Sequence, residues 1–204
     1  TLTKADIDKI VEYIKNDTTV TECCLSGGEP LVLSDDLLEY LITALSNISH
    51  VKVLRIFSRA FAVLPSRFTE NLLRILKIFP TLYMIAHFDH ADELTEETIH
   101  ACRLLADNGI PMFSSTVLLK DINDSSRVLG ELFQKCLQNK IKPFYLYHCV
   151  PAMGVKHFMT EVDVGTKIIE ELYSKLSALC IPLYTVPLIG EKALAMPYMK
   201  DIYE

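Results

Sequence analysis

The sequence has no long apolar run. Nothing in its 204 residues approaches the length of a membrane span, so no transmembrane helix is predicted. It also has no run or stripe of lysine and arginine. Acidic and basic side chains are interspersed and the formal net charge is −6. Phosphate neutralisation, on which nucleic-acid affinity rests, therefore has no footprint here. There is no C-x-x-C pair and no zinc-ligand spacing. The six cysteines lie scattered at 23, 24, 102, 136, 149 and 180, most of them inside apolar segments. That distribution predicts buried thiols in a reducing, cytoplasmic setting, not a secreted disulfide framework. Neither G-x-G-x-x-G nor G-x-x-x-x-G-K-[ST] occurs, which removes the usual signatures of a nucleotide-phosphate loop. No internal repeat, low-complexity segment or interdomain linker interrupts the chain. It is read as one domain, 1–204, and, because it starts at Thr1 without a methionine, as an N-terminally truncated piece of a longer protein.

What is present is a core and a rhythm. Half of the residues are hydrophobic, enough for a substantial buried interior. Thr3 and Asp6 form an S/T-x-x-D/E box ahead of Ile7, Ile10, Val11 and Ile14, which recur at helical spacing. A strand pattern follows at 19–25. Ser34 is placed to cap a helix whose Leu37, Leu38, Leu41, Ile42 and Leu45 share a face. Strands are predicted at 51–57, 82–88, 110–118 and 142–149, with helical patterns between them. Thr95 opens one of those helices and Gly109 suits its C-terminal stop. A last long helix runs through Val164, Ile168, Ile169, Leu172 and Leu176, and 181–188 reads as a short extended piece. Five alternations of strand and helix predict an α/β fold with a parallel sheet, either doubly wound or a curved partial barrel. Right-handed crossovers place every strand-to-helix loop at one end of such a sheet, where sites gather.

Each predicted strand ends in something polar. The first ends in Ser26-Gly27-Gly28-Glu29, the second in Ser58-Arg59, and the third in His87-Phe88-Asp89-His90. The fourth carries Ser114-Ser115-Thr116 and the fifth Tyr147-His148-Cys149. Taken alone, Gly-Gly after a strand is most often a turn, and a lone histidine most often a structural one. Two histidines and an aspartate within four residues of one loop rarely make a metal site without partners elsewhere, and none is expected. Gly-Gly-Glu has a more definite sense. Glycines let the backbone approach a ligand closely, and the adjacent acid accepts hydrogen bonds from an ammonium group. The pattern points to a small zwitterionic ligand presenting its amine. Lys192, in Ile189-Gly190-Glu191-Lys192-Ala193-Leu194, is either an ordinary surface lysine or one activated by desolvation for Schiff-base chemistry.

The order of these motifs resembles the lysine 2,3-aminomutase family of radical SAM enzymes. The resembling segments are LSGGEPLVLSDDLLEYL, ISHVKVLRIFSRAFAVLPSRFT, the His87–His90 loop, ELTEET with ACRLLADNGIP, TVLLKDIND, KPFYLYHC and GVKHFMT, from about Ala5 to Pro197. The resemblance implies a partial (βα)6 TIM-like barrel of the radical SAM type, with about five of its strands present in this chain. It implies S-adenosylmethionine, a [4Fe–4S] cluster and pyridoxal 5′-phosphate as cofactors. The implied reaction is a 1,2-amino shift from Cα to Cβ of an amino acid by way of a 5′-deoxyadenosyl radical, with an electron donor as partner. The cofactors supply that chemistry and the protein supplies position and exclusion of water. By the match, Ser26, Gly27, Gly28 and Glu29 hold the amino group of S-adenosylmethionine, and Ser58, Arg59, His87 and Ser115 are its other contacts. Tyr147 falls near the pyridoxal ring, and Lys192 aligns with the lysine that carries it.

Departures from the family carry information too. The C-x3-C-x2-C cluster loop is absent, and by alignment it belongs shortly before Thr1. The cluster ligands are therefore expected upstream and the fragment alone is expected to be inactive. The family's Asn-Gln pair is Ser114-Ser115 here, and the loop before Lys192 is shortened. Lysine-acting members place two aspartates around the substrate's distal ammonium, where this chain has Val150 and Pro187. An unpaired ammonium in a dry pocket is strongly disfavoured, so an uncharged α-amino acid is expected in place of lysine. The alternatives are a radical SAM enzyme without the amino shift and a degenerate barrel that binds a small molecule or a partner. Homo-oligomerisation is an expectation from the family alone.

Overall fold

The computed structural model describes residues 2–188 and Glu191–Leu194, with 187, 188 and 191–194 described by backbone only. The chain folds as two compact units, residues 2–86 with 97–112 and residues 87–96 with those from 113 onward.

The first unit opens with α1 (Lys4–Asn16), and its cap is the predicted box. Thr3 Oγ1 accepts from the Asp6 N–H at 3.3 Å, and Asp6 Oδ2 accepts from the Thr3 N–H at 3.0 Å. β1 (Glu22–Leu25) leads through the Gly-Gly-Glu loop to α2 (Asp35–Ser46), which Ser34 caps. β2 (Val53–Ser58), the one-turn α3 (Ala60–Val63), α4 (Glu70–Leu76) and β3 (Leu82–His87) follow. β1 and β2 run parallel with Cys23 beside Leu54, and β2 and β3 run parallel with Ile56 beside Met84. Along β2 the side chains alternate: Leu54, Ile56 and Ser58 are buried while Val53, Arg55 and Phe57 are half-exposed. The buried row lies in a core with Leu38, Leu41, Ile42 and Leu45 of α2 and Leu72, Leu73, Ile75 and Leu76 of α4. Each such side chain contributes about 1.5–3 kcal/mol on burial. α5 (Glu96–Ala106) ends as expected: Gly109 takes a left-handed φ of +85°, and the Ile110 N–H reaches back to the Leu105 carbonyl at 3.1 Å.

The second unit holds most of β4 (Met112–Leu118), α6 (Ser126–Gln138), β5 (Ile141–His148), α7 (Val162–Lys175), β6 (Leu183–Leu188) and β7 (Glu191–Leu194). β5 and β6 are parallel, with Tyr147 beside Thr185, and β6 and β7 are antiparallel, with Pro187 opposite Lys192. The strands of the sheet follow chain order, β1 to β7, and β1 to β6 are the parallel set. The short extended piece expected at 181–188 is thus a full parallel strand, one beyond the five expected. Pro182 and Pro187 hide it in the sequence, because proline cannot donate to a ladder and demotes a strand pattern.

α7 approaches β6 closely at Gly165. A methyl group there would stand 2.2 Å from Tyr184 Cζ, so glycine is required by space. The Tyr184 hydroxyl donates to the Val162 carbonyl at 3.3 Å and lies 2.8 Å from His148 Nδ1. With the hydroxyl proton on Val162, His148 carries its proton on Nδ1 and donates it to Tyr184. Burial pushes the Tyr184 phenol up to about 12 and holds the His148 imidazole below its usual range. This pair is part of the packing of α7, not of a strand-end loop.

Candidate functional site

Gly27 and Gly28 have φ of +76° and +59°, successive left-handed residues at the mouth of β1. A Cβ at either would meet nothing within 4 Å, so the requirement for glycine is conformational and not steric. Both glycines are exposed, and their backbone is open to a ligand.

Glu29 does more for the protein than the sequence suggests. Its Oε1 accepts the Leu31 N–H at 3.1 Å, capping the short turn Pro30–Val32, and the Ser58 hydroxyl at 2.8 Å. Its Oε2 accepts the Arg59 N–H at 2.8 Å. Ser58 Oγ in turn accepts the Ala60 N–H at 3.0 Å. A carboxylate has about four acceptor positions, so these three donors leave one, on Oε2, for a ligand's ammonium. Ser26, Gly27, Gly28, Glu29, Ser58 and Arg59 thus belong to one cluster in the first unit. Arg59 enters it through its backbone amide. Beneath the loop, Arg67 Nε donates to the Leu31 carbonyl at 2.6 Å and Nη2 pairs with Asp35 Oδ1 at 2.7 Å. Asn71 and Arg67 together hold the Asp35 carboxyl below the usual range, Asn71 contributing most. The sequence reading missed Arg67, although its place in the VLPSRFT segment was in view.

In the second unit His87 stands at the end of β3, half-exposed, with Nε2 3.0 Å from Asp89 Oδ1. The same oxygen accepts the Val117 N–H at 2.9 Å. Asn123, fully buried, donates to the carbonyls of Asp89 and Val117, each at 2.8 Å, and accepts the Leu119 N–H at 2.7 Å. Thr116 Oγ1 donates to the Phe88 carbonyl at 2.7 Å. Thr116 is legible in the sequence only as part of the polar Ser114-Ser115-Thr116 run, and Asn123 was not singled out, since a single buried Asn in a polar loop sends no periodic signal. Ser115 is buried on β4, and its carbonyl accepts the Phe88 N–H at 3.0 Å. Tyr147 is half-buried near the end of β5, its ring centroid 5.1 Å from that of Tyr145. Val150, just beyond, is 42% exposed. The side chains of Pro187 and Lys192 lie outside the described residues, though the backbone register sets the two positions opposite each other.

The donor sets can be tested against the implied cofactors. Two left-handed glycines and a carboxylate with one acceptor position left fit the methionine moiety of S-adenosylmethionine. An iron–sulfur cluster needs thiolates. Every cysteine except Cys24 is buried. Burial pushes the thiols of Cys23, Cys149 and Cys180 up, and that of Cys136 up to about 12. No group of three His, Cys, Asp or Glu able to hold a metal ion exists among the described residues. The cluster does not fit this residue set. For pyridoxal phosphate the described structure supplies Tyr147 and the backbone position of Lys192. Among the described residues no helix is long and apolar enough to cross a membrane.

The strands and the Gly-Gly-Glu strand end belong to an α/β domain whose fold is that of solved radical SAM enzymes. Its parallel strands superpose on a radical SAM methyltransferase from Sphaerobacter thermophilus with a TM-score of 0.65, at 18% identity, over 91% of this chain and 57% of that one. They superpose equally on native anSMEcpe with bound AdoMet and a Cp18Cys peptide, TM-score 0.65 at 12% identity, over 85% of this chain and 52% of that one. At these identities the likeness is one of fold.

In sequence the chain is similar to curated 2,3-aminomutases. It is 42% identical to the L-lysine 2,3-aminomutase of Clostridium subterminale over 193 residues, 94% of this chain and 46% of that protein. It is 35% identical to the glutamate 2,3-aminomutase of Clostridioides difficile over 196 residues, 95% of this chain and 46% of that protein. The chain spans about half the length of the curated relatives it matches. No family model matches the chain.

Proposed function

We propose that the chain is the S-adenosylmethionine-binding barrel of an amino-acid 2,3-aminomutase that moves an amino group from Cα to Cβ. The observation that carries this reading is the match to aminomutases along 94% of the chain, through a Gly-Gly-Glu loop shaped for an ammonium group. In this reading Gly27, Gly28 and the remaining acceptor position of Glu29 bind the methionine amine. Ser26, Ser58, Arg59, His87 and Ser115 complete the S-adenosylmethionine site. Lys192 and Tyr147 hold pyridoxal phosphate, which supplies a conjugated ring that delocalises the unpaired electron during the shift. When bound and reduced by one electron, S-adenosylmethionine would supply hydrogen-abstracting radical chemistry with release of methionine, and the residues above would hold and orient it. The iron–sulfur ligands are assigned to residues other than those described, and an external donor provides the electron. A cytoplasmic, homo-oligomeric protein belongs to the same proposal.

The substrate is an uncharged α-amino acid. Val150 supports this: it lies just beyond β5, at the position where by the resemblance lysine-acting members have an aspartate, and its apolar side chain offers no partner to an ammonium. The resemblance itself does not select lysine, since one relative is named for glutamate. The test is anaerobic turnover of the full-length protein with S-adenosylmethionine, pyridoxal phosphate and a panel of amino acids, read by NMR for β-amino acids. The expected result is product from an uncharged amino acid and little from lysine. Efficient β-lysine formation overturns the substrate assignment. A second reading, radical chemistry without the amino shift, is favoured by Ser114-Ser115 in place of an Asn-Gln pair. It predicts 5′-deoxyadenosine with no β-amino acid.

A further inference from the structure

The loop after β3 carries more chemistry than the proposed function uses. His87 alone is assigned a ligand, yet its ring is held by a built network. Asp89 is mostly covered, its side chain 13% exposed, and its Oδ1 is pinned from behind by the Val117 N–H at 2.9 Å. Asn123 fixes the backbone on both sides of that contact through the Asp89 and Val117 carbonyls. Asp89 N–H donates to Glu93 Oε1 at 3.3 Å, which closes the loop on itself. The carboxylate is therefore set in place by the backbone around it, and His87 Nε2 lies 3.0 Å from it.

We propose that Asp89 is a positioning residue that fixes the tautomer and ring orientation of His87, so that Nδ1 is presented as an acceptor to a donor group on the nucleoside of S-adenosylmethionine. An ionised carboxylate only accepts, so the ring nitrogen facing it carries the proton. In the neutral imidazole the other nitrogen is then an unprotonated acceptor. Nδ1 makes no hydrogen bond among the described residues. Of the groups on a nucleoside, hydroxyls and the exocyclic amine donate to such a nitrogen. This rests on the reading of His87 as an S-adenosylmethionine contact, but the tautomer itself does not.

The experiment uses the full-length protein labelled with 15N-histidine, as wild type, Asp89→Ala and Asp89→Asn, with the Asp89-independent variant His87→Ala for assignment. Long-range 1H–15N spectra identify the protonated nitrogen, and the KM for S-adenosylmethionine is measured beside kcat. Wild-type His87 is expected to carry Nε2–H. Asp89→Ala is expected to mix the two tautomers and raise the KM about tenfold, the loss of one well-placed hydrogen bond. Asp89→Asn keeps an oxygen for both Val117 N–H and Nε2–H, so it is expected to restore the Nε2–H tautomer and bring the KM within about threefold of wild type. A purely structural role would not move the tautomer. An Nδ1–H tautomer in the wild type, or an unchanged tautomer in Asp89→Ala, overturns the proposal. If the tautomer behaves as stated while His87→Ala leaves the KM unchanged, the positioning stands and the assignment of His87 to S-adenosylmethionine fails.

Discussion

Two carboxylates sit at strand ends in this protein, one in each unit, and they are used differently. Glu29 follows β1 and accepts from Leu31, Ser58 and Arg59, which leaves one acceptor position for a ligand. Asp89 follows β3 and holds a histidine ring against the end of β4. The first is a tie with a remaining acceptor; the second acts through its neighbour. The loop after β5 differs from both. Val150 to Gly154 is largely exposed, with Met153 wholly so, and a backbone bond closes its end from Val155 N–H to the Ala152 carbonyl at 3.3 Å. The lesson is a division of labour. The tied loops suit a ligand whose geometry must not vary, and the loosely tied one suits a substrate that differs between relatives.

The comparison breaks most readily at Glu29. Glu29→Ala strands the Ser58 hydroxyl and the Leu31 and Arg59 amides, and is expected to cost about 3 kcal/mol of stability and most S-adenosylmethionine affinity. Glu29→Gln keeps one oxygen for two of those donors but removes the charge. It is expected to stay within about 1 kcal/mol of wild-type stability while binding at least tenfold more weakly. Urea denaturation and calorimetric titration with S-adenosylmethionine check both. Equal affinity in Glu29→Gln would make the carboxylate a structural tie only.

A scaffold change away from the loops sharpens the contrast. Gly165→Ala drives a methyl group into Tyr184 and is expected to cost about 1–3 kcal/mol, with nucleoside affinity per folded molecule unchanged. The loosely tied loop should behave in the opposite way. Val150→Asp is expected to leave the melting temperature within about 2 °C and to shift the kcat/KM ratio toward lysine by about tenfold or more. A smaller effect comes from acid. The His148 imidazole is buried neutral with its pKa below the ordinary value, so the folded state binds fewer protons than the unfolded state. Its contribution to stability is complete above pH about 6.5 and is lost as the pH falls from there through the lowered folded value. Melting temperatures across pH 5–8 are expected to fall on the acid side, and less steeply in His148→Gln.

Much of this was legible in the residues. Hydrophobic periodicity located the helices, and Thr3 and Ser34 cap them as their spacing predicts, because capping is a local matter of three residues. Gly27 and Gly28 were legible as bare backbone that lets a ligand approach, whereas their left-handed φ is seen only in the structure. β6 was less legible since its prolines mask a strand that tertiary pairing makes whole. The polar supports were the least legible. Arg67, Asn123 and Thr116 act across gaps of 28 to 36 residues, and nothing in their own neighbourhoods reports a partner so distant. Glu29 was read as a ligand group, whereas most of its acceptor capacity goes to the protein. Sequence pattern shows that a carboxylate is at a strand end; it does not show how many of its lone pairs are taken.

The most direct test of the account is the fate of one hydrogen. The full-length protein is incubated anaerobically with S-adenosylmethionine, a reductant and an uncharged amino acid deuterated at Cβ, and the 5′-deoxyadenosine formed is examined by mass spectrometry. The account predicts deuterium in 5′-deoxyadenosine and a β-amino acid product. 5′-Deoxyadenosine without deuterium from any uncharged amino acid, together with efficient deuterium transfer from β-deuterated lysine, would contradict it.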